Sequence, residues 1–97
     1  MRIPKKITVG ESKYKIALHE QLIDGDALGA INFGRKEIAL ATHTMGKRIP
    51  KEEINNSFWH EMVHAILFDM GHDLCDNERF VRAFANKLSD AIDSAKF

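Results

Sequence analysis

Ninety-seven residues, 44% hydrophobic and 29% charged, suit one globular domain over residues 1–97 and are too few for two. Fourteen basic and fourteen acidic side chains leave a formal net charge of zero, which provides no electrostatic footprint for nucleic acid or for an anionic membrane surface. Cys75 is the lone cysteine, which excludes an internal disulfide, and no apolar run has the length of a secretory signal or a membrane span, so the default expectation is a cytoplasmic chain.

The first half reads as strands and turns. Ile7-Thr8-Val9 and Tyr14 to Leu18 are β-rich and flank Gly10-Glu11-Ser12, the pattern of a hairpin. Asp24-Gly25-Asp26 is a turn signal. Leu28 to Phe33 and Glu37 to Ala41 then alternate about Gly34-Arg35-Lys36, predicting a second hairpin with Ile31, Phe33, Ile38 and Leu40 turned to the core. The expectation is a small antiparallel sheet of three or four strands.

The second half changes period. Pro50 followed by Lys51-Glu52-Glu53 is a helix opening, with proline at an early position and acids in the first turn. Ile54, Phe58, Met62, Ile66 and Met70 recur every fourth residue, with Trp59, Val63 and Leu67 widening the stripe, and Gly71 is a natural stop. After a link from His72 to Cys75, Asp76 is a candidate cap for a second helix. Phe80, Phe84, Leu88 and Ile92 form its ridge, with Val81 and Ala85 beside them. The fold class is therefore α+β: a small sheet followed by two packed helices.

His60 and His64 stand four residues apart in the first of those helices. Both imidazoles leave one face, about 6 Å apart along the axis, so two ring nitrogens can reach one zinc ion. Glu61 follows the first histidine directly, beside the metal rather than on it. From there its carboxylate can take a proton from a zinc-activated water and hand it to a leaving amine. The plain alternative is a pair of ordinary histidines on a helix.

A catalytic zinc commonly has three protein ligands and one open position. His72, Cys75, Asp76 and Glu78 compete for the third place. The spacing of His72 does not fit the extended motif in which histidine falls six residues after the second ligand. A Cys75 thiolate suits a structural site better than a hydrolytic one. Asp76 reads as a cap. Glu78 lies in the first turn of the second helix on the side of Val81 and Ala85, which should face the first helix, where a charged group needs a partner, and it is the favoured choice. A carboxylate that merely complements the helix dipole is its bland alternative.

His60-Glu61-Met62-Val63-His64, with Asn77-Glu78 on the following helix, resembles the gluzincin clan of HExxH zincin metallopeptidases. The run from Phe58 to Leu88 is similar, more closely, to the short zincin-like proteins of phages and prokaryotes and to the minigluzincins. Glu78-Arg79-Phe80-Val81 and the preceding hairpin match their plan, and the likeness covers residues 28–92.

The resemblance implies a minimal zincin-like fold, a zinc ion held by His60, His64 and Glu78, and peptide hydrolysis with Glu61 as the general base. It also implies a peptide or protein substrate added as an extra strand at a sheet edge, the part assigned to residues 37–42. An oxyanion-stabilising side chain has no clear match; His72 and His43 are candidates on chemistry alone. Trp59 reads as core. Arg79 and Arg82 either meet a substrate carboxylate or solvate the second helix. A reading of a different class keeps the zinc in a catalytically silent protein-binding module.

Overall fold

Alternating apolar side chains draw the first half of the chain into strands. In the computed structural model, which describes residues 2–22 and 27–97, β1 (Lys6–Val9) and β2 (Ser12–His19) form the amino-terminal hairpin. β3 (Gly29–Asn32) and β4 (Glu37–Ala41) form the second. The turn expected at Asp24-Gly25-Asp26 lies outside the described residues.

The strand order is β1-β2-β4-β3, and β4 runs parallel to β2 with Ile38 opposite Ile16 and Leu40 opposite Leu18. The four-stranded sheet is thus mixed, not wholly antiparallel. Local hairpin geometry fixes the two antiparallel pairs, but burial decides which strand of the second hairpin meets the first. β4, with Ile38 and Leu40 fully buried, takes the interior place, and β3, whose alternate residues stay exposed, takes the edge. Residues 37–42 are consequently not a free edge. Among the described residues, the edges of this sheet are β1 and β3. A two-stranded ribbon, β5 (His43–Thr44) and β6 (Lys47–Arg48), leads into the helical half.

α1 (Lys51–Asp69) starts after Pro50 with Glu52 and Glu53 in its first turn. Ile54, Phe58 and Met62 are buried against the sheet, but Ile66 and Met70 are exposed. A strict four-residue repeat advances about 40° too far per step on an α-helix, so the row walks off the buried face and Ala65 takes over. The helix ends in a Schellman motif. The Gly71 N–H donates to Phe68 O and the His72 N–H to Leu67 O, at 3.0 and 2.9 Å, with Gly71 at φ 63°.

A short 3-10 helix (Asp73–Asp76) turns the chain into α2 (Glu78–Ser94). Its cap is Asn77, not Asp76: Asn77 Oδ1 accepts the Phe80 N–H at 2.9 Å. The buried row is Val81, Ala85 and Ser89, whereas Phe84 of the expected aromatic ridge is half exposed. Val81 and Ala85 are the side expected to face α1, and Phe80 and Leu88 of the ridge pack against the same cluster from its margin. Ser89 Oγ donates to Asn56 Oδ1 at 2.7 Å, while Glu78 meets His60 and His64, so α2 runs back antiparallel along α1.

Two apolar clusters result. One joins the sheet to α1 through Tyr14, Ile38, Leu40, Phe58 and Met62; the other joins α1 to α2 through Val63, Leu67, Cys75, Val81 and Ala85. Trp59 packs against both, with its ring edge-on to Phe58 at 5.2 Å. Ile31 and Phe33 are only half buried, one against each cluster. Among the described residues, no helix is long and apolar enough to cross a membrane.

Candidate metal centre

α1 presents His60 and His64 on its α2 side with ring centroids 5.0 Å apart. Because Asn77 caps α2, Glu78 is its first residue and faces the middle of α1. Glu78 Oε2 lies 2.9 Å from His60 Nε2, and Oε1 lies 2.8 Å from His64 Nε2. One donor atom from each residue falls within 4.8 Å of the others, close enough for all three to bind one metal ion. The His64 side chain is 9% exposed and that of Glu78 is 60% exposed, so the cluster is walled on the α1 side and open on the other.

The far nitrogen of His64 fixes its state. Nδ1 lies 2.7 Å from the main-chain carbonyl of Cys75, which can only accept, so Nδ1 carries a hydrogen and Nε2 is the nitrogen left to face Glu78. A lone pair and a carboxylate at 2.8 Å repel unless they share a cation, either a proton or a metal ion. Burial also holds the His60 imidazole below its usual range, offset by the Glu78 carboxylate and reinforced by the His64 and Arg82 charges. Neutral imidazole is the metal-binding form. Two such nitrogens and a carboxylate oxygen, with a fourth side open, form a donor set that fits zinc.

Glu61 turns from the same stretch of α1 toward the sheet. It is 6% exposed, and its carboxyl is pushed up to about 7, first by burial and then by Glu78, against the His64 charge. Gly29 on edge strand β3 makes the space for it: a Cβ there would stand 3.0 Å from Glu61 Oε2. An isolated glycine inside a strand pattern is the sequence signal for such a close approach.

His60, Glu61 and Glu78 open on one cavity of about 530 Å³, lined on the sheet side by Leu28 and Gly29, on α1 also by Glu53, Asn56 and Ser57, and on α2 also by Arg82 and Asn86. The competitors for the third position are placed elsewhere. His72 Nδ1 accepts the Leu74 N–H at 3.0 Å and caps the 3-10 helix. The buried Cys75 thiol donates to His64 O, and its part in the site is its carbonyl. Asp76 is exposed beside Asn77, outside the three-residue cluster. His43, the other oxyanion candidate, pairs with Thr42 Oγ1 at 2.7 Å and does not line the cavity. The Cys75 carbonyl and the polar lining from Asn56 and Asn86 have no sequence signature, because main-chain oxygens and amide side chains carry no spacing rule.

Compared with protein-family models, curated proteins and solved structures, the chain gives no match.

Proposed function

We propose that the chain is a small zinc-dependent metallopeptidase. The reading is carried by the convergence of His60 Nε2, His64 Nε2 and a Glu78 carboxylate, with His60, Glu78 and the buried Glu61 lining one cavity. The likeness of His60-Glu61-Met62-Val63-His64 and Asn77-Glu78 to the gluzincins supports the same reading.

His60, His64 and Glu78 hold the ion in this proposal, and the Cys75 carbonyl keeps the His64 ring in its metal-binding tautomer. Bound zinc supplies Lewis acidity, which polarises a peptide carbonyl and acidifies water. Glu61 does the proton work. Its carboxylate, on the same cavity as His60 and Glu78, is placed to accept a proton from the attacking water and return it to the departing amine. The substrate is a peptide or protein segment, and the edge best placed to receive it as an added strand is β3, because Leu28 and Gly29 line the cavity.

The test is zinc content together with hydrolysis of a broad peptide library, for wild type and Glu61→Gln in parallel. One zinc per chain in both proteins, with cleavage by wild type alone, supports the peptidase. Zinc in both without any cleavage replaces it with the silent zinc-stabilised binding module. A protein that takes up no zinc sinks both.

A further inference from the structure

Glu78 and Arg82 stand four residues apart on α2, a spacing at which acid and base ordinarily pair across one helical turn. Here both Glu78 oxygens are turned to His60 and His64, and among the described residues no carboxylate comes within 4.0 Å of the Arg82 guanidinium. Arg82 instead lines the cavity that holds His60 and Glu61, whereas Arg79 does not. Beside it are neutral amides. Asn56 is held across the helix pair by the fully buried Ser89, whose hydroxyl donates to Asn56 Oδ1 at 2.7 Å. That bond occupies the amide's acceptor and leaves the Nδ2 hydrogens for another partner. Asn86, one turn beyond Arg82, lines the same space.

An unpaired guanidinium with amide donors beside it, next to the metal cluster, is a receptor for a carboxylate. We propose that Arg82, assisted by Asn56, binds a carboxylate on the residue that follows the cleaved bond. This proposal rests on the peptidase reading for its meaning but not for its test. Arg82 sits about 6 Å along α2 from Glu78, and an extended peptide advances about 3.5 Å per residue. A carbonyl at the metal cluster and a carboxylate on Arg82 are therefore one to two residues apart. Two groups provide that chemistry: the C-terminal carboxylate of a peptide trimmed from its end, and an Asp side chain at the same position within a longer chain.

The experiment uses zinc-loaded protein and three acetylated peptides that share the residues before the cleaved bond. One ends in a free carboxylate directly after the leaving residue, one is its C-terminal amide, and one is amidated with Asp as the leaving residue. The expected kcat/KM for at least one carboxylate-bearing peptide exceeds that for the plain amide by about 10- to 150-fold, the worth of a hydrogen bond to a charged group. The free acid alone identifies end-trimming, and the Asp peptide alone identifies side-chain recognition. Arg82→Gln collapses the ratio toward one, and Arg82→Lys retains part of it.

Binding separates this proposal from the peptidase reading. Acetylphenylalanine and its amide are titrated by NMR into metal-loaded Glu61→Gln protein, with and without Arg82→Gln. Preference for the acid, lost on Arg82→Gln at unchanged zinc content, upholds the carboxylate site even if no peptide is ever cleaved. Equal binding of acid and amide, or a preference that survives Arg82→Gln, overturns it even if peptides are cleaved.

Discussion

His64 Nδ1 lies 2.7 Å from the main-chain carbonyl oxygen of Cys75 and donates its hydrogen to it, across the turn that joins α1 to α2. The contact ties the orientation of one imidazole to the path of the loop that brings Glu78 back toward it. Cys75 enters the site through its backbone, and its buried thiol is spent on packing and on His64 O.

Zinc binding should accordingly depend on Glu78 and not on the thiol. Cys75→Ser is expected to keep one zinc per chain, while Glu78→Ala loses affinity by more than about 100-fold, beyond what an outer-shell change costs. Zinc at a hundred times its Kd should stabilise wild type by about 2.7 kcal/mol. Competition titrations with a chromophoric chelator would measure both, and zinc loss in Cys75→Ser would assign the thiol to the metal.

Glu61 makes the metal-free protein's stability depend on pH. The folded state holds this proton more tightly than the unfolded chain, with a pKa of about 7 against 4.5. The stabilisation is complete below about 4.5 and is lost as pH rises through about 7. At about 1.4 kcal/mol per unit, the loss is about 3 kcal/mol. Metal-free Glu61→Gln should therefore exceed wild type in urea midpoint at pH 8 and match it near pH 4. A bound cation pulls the carboxyl down, so zinc should shrink the difference. Equal midpoints for the two metal-free proteins at pH 8 would show that burial does not raise this group.

Gly29→Ala probes the space behind the base. Its new methyl would stand 3.0 Å from Glu61 Oε2 and 3.3 Å from Cγ, so the carboxylate must shift. The expected result is a fall in kcat of at most about 100-fold with zinc content unchanged, the cost of displacing a catalytic group without removing it. Unchanged kcat in a folded Gly29→Ala protein would remove Glu61 from the proton transfer or show that its position is uncritical.

The helix cap offers a paired test. Asn77→Ala should cost about 1 kcal/mol of stability and weaken zinc binding, because the cap sets the position of Glu78. Asp76→Ala, at an exposed neighbour that does not cap, should stay within about 0.5 kcal/mol of wild type. Thermal unfolding of the two variants side by side would reveal any reversal.

Residue spacing alone determined the two hairpins, the helix from Pro50 to the stop at Gly71, and the placing of His60, Glu61 and His64 on one stretch of that helix. These are local matters: alternation, capping and a four-residue offset act within a turn or a strand pair, and the chain carries them in its order. The tertiary structure decided what depends on contacts between distant residues. It put β4 inside the sheet and β3 at its edge, because burying Ile38 and Leu40 outweighs joining strands in sequence order. It buried Val81 and Ala85 against α1, as their side of the helix led one to expect, but added Ser89 to that row and left Phe84 half exposed, because a ridge that drifts around the helix cannot all face one partner. It also brought Glu78 rather than His72, Cys75 or Asp76 to the two histidines, since that choice turns on how a Schellman turn, a 3-10 helix and an Asn77 cap together aim the first residue of α2.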